Sequence, residues 1–338
     1  MKKHTLFLVI PILLFSTCKN NNKYKVDVSD IDVHINVKQF EKDMFKFNLD
    51  STDFYLNNYQ ENYGEFFKLY NSHIIELGNS EDEYYPQALN EFLRYWKPKE
   101  IPMILETEFP DFEAEQLPQI ETALKHYKYY FPENQIPELY TYFSSFGLSV
   151  VMLDNIIGLG LDKYLGKHNS DVYDKVGYSL YQKRRMIKEM IPVDIIRLVA
   201  ESDYPYETEI SDNFLDNMVY EGKMQYYLNC MLPETADTLK WRYTGKQLAW
   251  AEKHEQKIWN YIAERKLIYS TDKMEIRKFM GDGPYTTVFT DISAPRAGAF
   301  IGFKIVECYM NNKSELSLKD LLEEKDIRKI LAGAKYNP

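Results

Sequence analysis

Metal-dependent hydrolysis needs imidazoles or carboxylates brought together at helical spacing. This chain of 338 residues offers few of them. Its histidines are His4, His34, His73, His126, His168 and His254, and no two stand four residues apart. No helix can therefore present two imidazoles on one face. His254-Glu255 opens like an H-E-x-x-H motif, but Ile258 occupies the place of the second histidine. No G-x-S-x-G elbow is present to expose a nucleophilic serine. Gly158-Leu159-Gly160 lacks the further glycine and the Lys-Ser/Thr pair that a phosphate cradle needs. The expectation is a chain with no catalytic residue, no metal and no cofactor.

Four segments still set polar or charged side chains beside apolar or glycine-bearing stretches. In Ile156–Gly166, Asp162 follows an apolar run and two glycines. It either contacts a ligand or partner, or tightens a turn and caps the next helix. In Phe214–Leu228, Leu215, Met218, Val219, Gly222 and Tyr226 share a helical face, and Glu221 borders it. Burying a carboxylate alone is costly, so Glu221 is either exposed or partnered. In Leu248–Trp259, Glu255 interrupts a stripe of Leu248, Ala251, Ile258 and Ile262. It reads as a buried carboxylate satisfied by a hydrogen bond. In Ser293–Val306, Ser293 suits a helix cap and Pro295 a first turn. Gly298 and Gly302 lie one turn apart and let another backbone come close. Arg296 would then sit at the positive end of a helix, which is unfavourable unless it is paired. Its candidate partners are Glu221, Glu255 and Asp162. The four residues form one candidate cluster, structural or partner-binding.

The elements that position these segments are mainly helical. Val26–Val37 alternates like a strand. Asp53–Leu77, Glu83–Trp96, residues 100–114 and 117–130 carry helical patterns punctuated by prolines. Ile136–Ser144 and Leu148–Leu153 read as strands joined at Gly147, the second a continuous apolar run fit for a central strand. Beyond Asp171 the patterns are almost all helical. The fold class expected is α+β, predominantly helical with a small sheet. With no repeat, low-complexity tract or Ser/Gly linker, residues 26–338 read as a single α-rich domain. Tyr and Phe are abundant, at 28 and 19. They could build a sugar-binding platform, but their helical spacing reads first as core.

Composition narrows the function classes. The net charge is −10, and removing residues 1–17 with Lys2 and Lys3 takes it to −12, so a nucleic-acid partner is not expected. Lys2, Lys3 and His4 precede an uncharged stretch from Thr5 to Thr17, too short to span a bilayer. It ends in Phe15-Ser16-Thr17-Cys18, like the lipobox of a bacterial lipoprotein. Residues 1–17 are read as the signal peptide, Cys18 as the lipidated residue, and 18–25 as a polar tether reaching about 25 Å. No acidic cluster follows Cys18, so a periplasm-facing position on a cell-envelope membrane is expected. Cys230 and Cys308 sit among apolar neighbours and read as free thiols rather than a bridge.

The ordered set of these features resembles the gliding-motility lipoprotein family GldB of Bacteroidota. The segments that carry it are the lipobox, Gly160–Gly166, Val219-Tyr220-Glu221-Gly222-Lys223, Trp250–Trp259 and Pro295–Tyr309. The resemblance implies a lipid-anchored envelope protein needed for gliding, non-catalytic, with other gliding or envelope proteins as partners. It also implies a distant likeness to zinc peptidases, a degenerate zincin-like scaffold in which Glu221 falls at a third-ligand position. No histidine lies between Ile187 and Ala200, where the metal helix would fall. Two alternatives stay open: a degenerate or unconventional envelope hydrolase, and a carbohydrate-binding lipoprotein.

Overall fold

The computed structural model describes residues 23–48, 51–207 and 212–338. The leader, Cys18 and the tether up to residue 22 lie outside the described residues. A small mixed sheet holds the first half together. Its strands are β1 (Val37–Gln39), β2 (Glu138–Tyr142), β3 (Val150–Leu153) and β4 (Ile156–Gly160), in the order β1-β2-β4-β3. β1 and β4 run parallel to β2, and β3 returns antiparallel on β4.

Two strand expectations are corrected. Of the alternating run Val26–Val37, only Val37 joins a ladder. Val33 and Ile35 are buried, yet the Ile35 N–H is satisfied by the Glu121 carboxylate at 3.2 Å instead of by a strand. The apolar run Leu148–Leu153 is not central: β3 is an edge strand, half-exposed along its length. The inner strands are β2 and the glycine-bearing β4. A Cβ on Gly158 would come within 2.7 Å of Val151 and 2.8 Å of the Tyr142 ring, so absent side chains let the neighbours close in.

Among the described residues the helices of the first half are α1 (Phe40–Lys46), α2 (Thr52–Leu69), α3 (Tyr85–Trp96), α4 (Ile101–Glu108), α5 (Phe112–Glu115) and α6 (Leu117–Tyr130). α2 passes into a wider π turn over Tyr70–Ile74. Prolines open α3, α4 and α6, where a missing N–H is harmless. The aromatic wealth is core: Tyr59, Tyr70, Tyr85 and Tyr142 are fully buried, and Phe40 meets Tyr63 and Tyr70 edge-on at 4.7 and 4.8 Å.

The second half is helical: α7 (Ser170–Lys175), α8 (Leu180–Lys183), α9 (Ile191–Asp203), α10 (Phe214–Met231), α11 (Asp237–Lys240), α12 (Gly245–Lys253), α13 (Glu255–Glu264), α14 (Lys273–Met280), α15 (Ala297–Asn312), α16 (Leu318–Glu323) and α17 (Ile327–Ala334). The predominantly helical α+β class is as expected. Asn213 and Asp216 cap α10 reciprocally at 3.0 and 3.1 Å, satisfying N–H groups the helix start leaves open. α10 and α15 cross at glycines. A Cβ on Gly222 would stand 2.4 Å from the Gly302 carbonyl oxygen, so the two backbones are in contact there.

Glu41 of α1 is a buried acid with a shifted proton affinity. Glu41 is 4% exposed, and its carboxyl accepts the Thr141 hydroxyl at 2.6 Å. Burial pushes it up to about 7 from an ordinary 4.5, against the lowering effect of Thr141. Between those values the fold keeps a proton that the unfolded chain has released, so stability falls as pH rises through that window. Glu41→Gln is expected to remove a penalty of about 3 kcal/mol at pH 8 and to leave stability at pH 4 unchanged. Denaturant titrations at the two pH values check this; parallel wild-type and variant profiles would contradict it.

Candidate functional site

Three helices of the second half converge on one ionic cluster. Glu221 projects from α10 beside Gly222, where α15 comes closest. Arg197 on α9 grips it bidentately, Nη1 to Oε2 at 3.0 Å and Nη2 to Oε1 at 3.1 Å. Arg296 donates to the same Oε2 from the start of α15. The Nε–H of Arg197 also donates to Glu201 at 2.6 Å. Burial alone would raise the Glu221 carboxyl; the Arg296 and Arg197 guanidinium groups outweigh it and hold it below the usual range. Burial lowers Arg197 less than Glu221 and Glu201 raise it, so its pKa too moves toward the charged form.

The local backbone around Arg296 differs from the sequence expectation. α15 begins at Ala297, not at Pro295, and Ser293 does not cap it. The Ser293 hydroxyl instead accepts the Thr286 N–H at 3.1 Å. Thr286 supplies the cap, its hydroxyl accepting the Ala297 N–H at 3.0 Å. Arg296 occupies the N-cap position with φ 53°, a left-handed conformation instead of the usual extended one.

Of the four residues proposed as one cluster, the structure brings Glu221 and Arg296 together. Asp162 stands elsewhere. It is fully buried just after β4 and accepts three hydrogen bonds, from Ser144 N and Oγ at 2.8 Å each and from Phe146 N at 2.6 Å. Burial raises its carboxyl and these bonds act against that rise. Its work is on the turn where Ser145 and Phe146 take left-handed φ of 56° and 63°. Glu255 stands elsewhere as well. The Trp250–Trp259 stretch breaks at His254, Glu255 opens α13, and its carboxylate accepts the Tyr336 hydroxyl at 2.9 Å. It ties down the C-terminal tail.

Arg197 was missed. Its one signal is a guanidinium set inside the apolar run Val193-Asp194-Ile195-Ile196-Arg197-Leu198-Val199, where a charge needs a partner. Chemically, both Glu221 oxygens are occupied by guanidinium N–H groups. The two guanidinium groups favour the ionised carboxylate. Among the described residues, no three His, Cys, Asp or Glu side chains are grouped to hold a metal ion. Cys230 and Cys308 are free. Among the described residues, no helix is long and apolar enough to cross a membrane.

No curated protein and no solved structure matches the chain. A family model described as gliding motility protein GldB matches residues 21–338, which takes in α9, α10 and α15 and all four candidate residues. The chain belongs to the GldB family of gliding motility proteins.

Proposed function

We propose that this gliding motility protein is a non-catalytic, lipid-anchored component of the gliding machinery, held on a cell-envelope membrane through Cys18 and facing the periplasm. The observation that supports anchoring is that Lys23 and Tyr24, close behind Cys18, are seated on α10 and α15. Lys23 pairs with Glu307 of α15 at 2.9 Å and donates to Asn311 at 3.0 Å. The Tyr24 hydroxyl donates to Glu307 at 3.2 Å, and its ring meets Tyr226 of α10 edge-on at 5.2 Å. Cys18 stands five residues before Lys23, a reach of at most about 18 Å. An acyl group on Cys18 would hold the α10–α15 face near Glu307 against the membrane and leave the sheet side to protein partners. Docking of Lys23 and Tyr24 in this way suits a body kept in one orientation for assembly.

The test is detergent phase partition of the wild type and Cys18→Ala, with a mass measurement on the mature N-terminus. The wild type is expected in the detergent phase with an acylated Cys18, and the variant in the aqueous phase. An unmodified Cys18 in the mature protein would sink the anchoring half of the proposal.

A further inference from the structure

Next to the Glu221 cluster lies a second group of arginines. A pocket of about 80 Å³ is lined in part by Arg184 and Arg185, which follow α8, and by Arg242, which follows α11, with Tyr243, Met190 and Leu239 also in its wall. The Tyr243 hydroxyl donates to the Pro295 carbonyl at 2.7 Å, which joins this wall to the loop carrying Arg296.

The charges here do not balance. Arg185 gives Nη1 to Asp282 at 2.7 Å, and Arg242 gives Nη2 to Asp194 at 2.8 Å. Asp194 is shared, since its other oxygen accepts the Tyr164 hydroxyl at 2.8 Å. Arg184 pairs with no carboxylate among the described residues. Three guanidinium groups thus meet two carboxylates, in a chain whose net charge is −10. A guanidinium carries five N–H donors, and each paired one spends a single nitrogen on its carboxylate, so each keeps donors beyond that contact. Arg242 is also held at φ 57°, a left-handed conformation that non-glycine residues seldom adopt.

Such a site suits a compact oxyanion. Guanidinium forks match the geometry of phosphate and carboxylate oxygens. A volume of about 80 Å³ has room for one tetrahedral phosphate group. We propose that this pocket binds a phosphate group, either free or at the end of a larger molecule such as a lipid headgroup, between Arg184, Arg185 and Arg242. This assignment does not depend on the anchoring of Cys18.

The experiment uses the full chain carrying Cys18→Ala, so that no acyl group contributes to membrane binding. Calorimetric titration with sodium phosphate is run against sodium chloride at equal ionic strength. Co-sedimentation is run with phosphatidylglycerol and phosphatidylcholine vesicles. Arg184→Ala is the diagnostic variant, because it breaks no ion pair and should melt like its parent in phosphate-free buffer. It is expected to weaken binding about tenfold or more, as the loss of a charge-assisted hydrogen bond implies. Arg184→Lys, keeping charge but losing the fork, should fall between. Phosphate binding sensitive to Arg184 supports the site with a free-phosphate source. Phosphatidylglycerol binding sensitive to Arg184, without free-phosphate binding, supports it with a headgroup source. No binding in either arm, or binding that Arg184→Ala leaves unchanged, overturns the proposal.

Discussion

Glu221→Gln is expected to lower stability by about 2–4 kcal/mol, a fall in melting temperature of about 5 °C for a chain of this size. The side chains of Arg197, Glu221 and Arg296 keep only 14%, 19% and 26% of their exposure. That sets the cluster closer to a buried pair, whose breaking costs about 3–5 kcal/mol, than to an exposed one worth at most about 1 kcal/mol. The cost arises because two guanidinium groups lose their carboxylate and remain where water reaches them poorly. Arg296→Met should cost less than Arg197→Met, which gives up a bidentate grip and the contact with Glu201. The Glu221→Gln, Arg296→Met double variant should lose less than the sum of the singles, because the second change removes a charge already unpaired. The pH dependence has a definite sign. The Glu221 carboxyl is held below its ordinary 4.5, so its contribution is full above that pH and is lost as pH falls through the folded value. Thermal melts at pH 7 and pH 3 test both points. Single variants that melt like the wild type at pH 7 would show that the cluster contributes nothing.

The second large effect is expected at the helix crossing. A Cβ on Gly302 would lie 1.7 Å from the Met218 carbonyl oxygen and 2.3 Å from its carbon. No rotamer relieves a contact with backbone, so α10 and α15 must move apart, and the Glu221 cluster that spans them moves too. Gly302→Ala gains about 1 kcal/mol of helix propensity. The overpacking should still leave it more than about 3 kcal/mol less stable, above the usual range because the atoms met are main chain. Gly245→Ala is the matched comparison: a Cβ there meets nothing within 4 Å, at the first position of α12. It should be neutral or stabilising by up to about 1 kcal/mol. Chemical denaturation of the two variants side by side checks the contrast, and equal stability would contradict the crossing geometry.

How much of this could be read beforehand varies with the kind of signal. Helix positions in the second half follow from periodic apolar stripes, and Gly302 in the stripe of α15 announced a close approach. Its companion Gly298 meets side chains instead, the Phe214 ring and the Met280 sulfur. The sheet was harder, because two cues pointed the wrong way. The apolar run of β3 is an edge whose greasy side chains cover β4, while β4 hides as a central strand behind its glycines. Glu221 and Arg296 stand 75 positions apart, and no local pattern links them. Each segment stands out by itself, Glu221 at the edge of a helical apolar stripe and Arg296 ahead of two glycines one turn apart, but nothing joins the two. Asp162 and Glu255 bear the same mark, a carboxylate beside apolar residues, yet Asp162 holds a turn and Glu255 the C-terminal tail. Arg184 and Arg242 carry no sequence cue, since an arginine in a loop looks the same whether it faces water or a pocket.

Colony spreading by cells whose only copy of this chain carries Cys18→Ala tests the central proposal, a membrane-held assembly component, most directly. The variant must reach wild-type abundance in the soluble periplasmic fraction, so that loss of protein is not mistaken for loss of anchoring. The account predicts non-spreading colonies, because a body released from the membrane cannot hold its place in the machinery. Colonies that spread like the wild type with the protein fully soluble would contradict it.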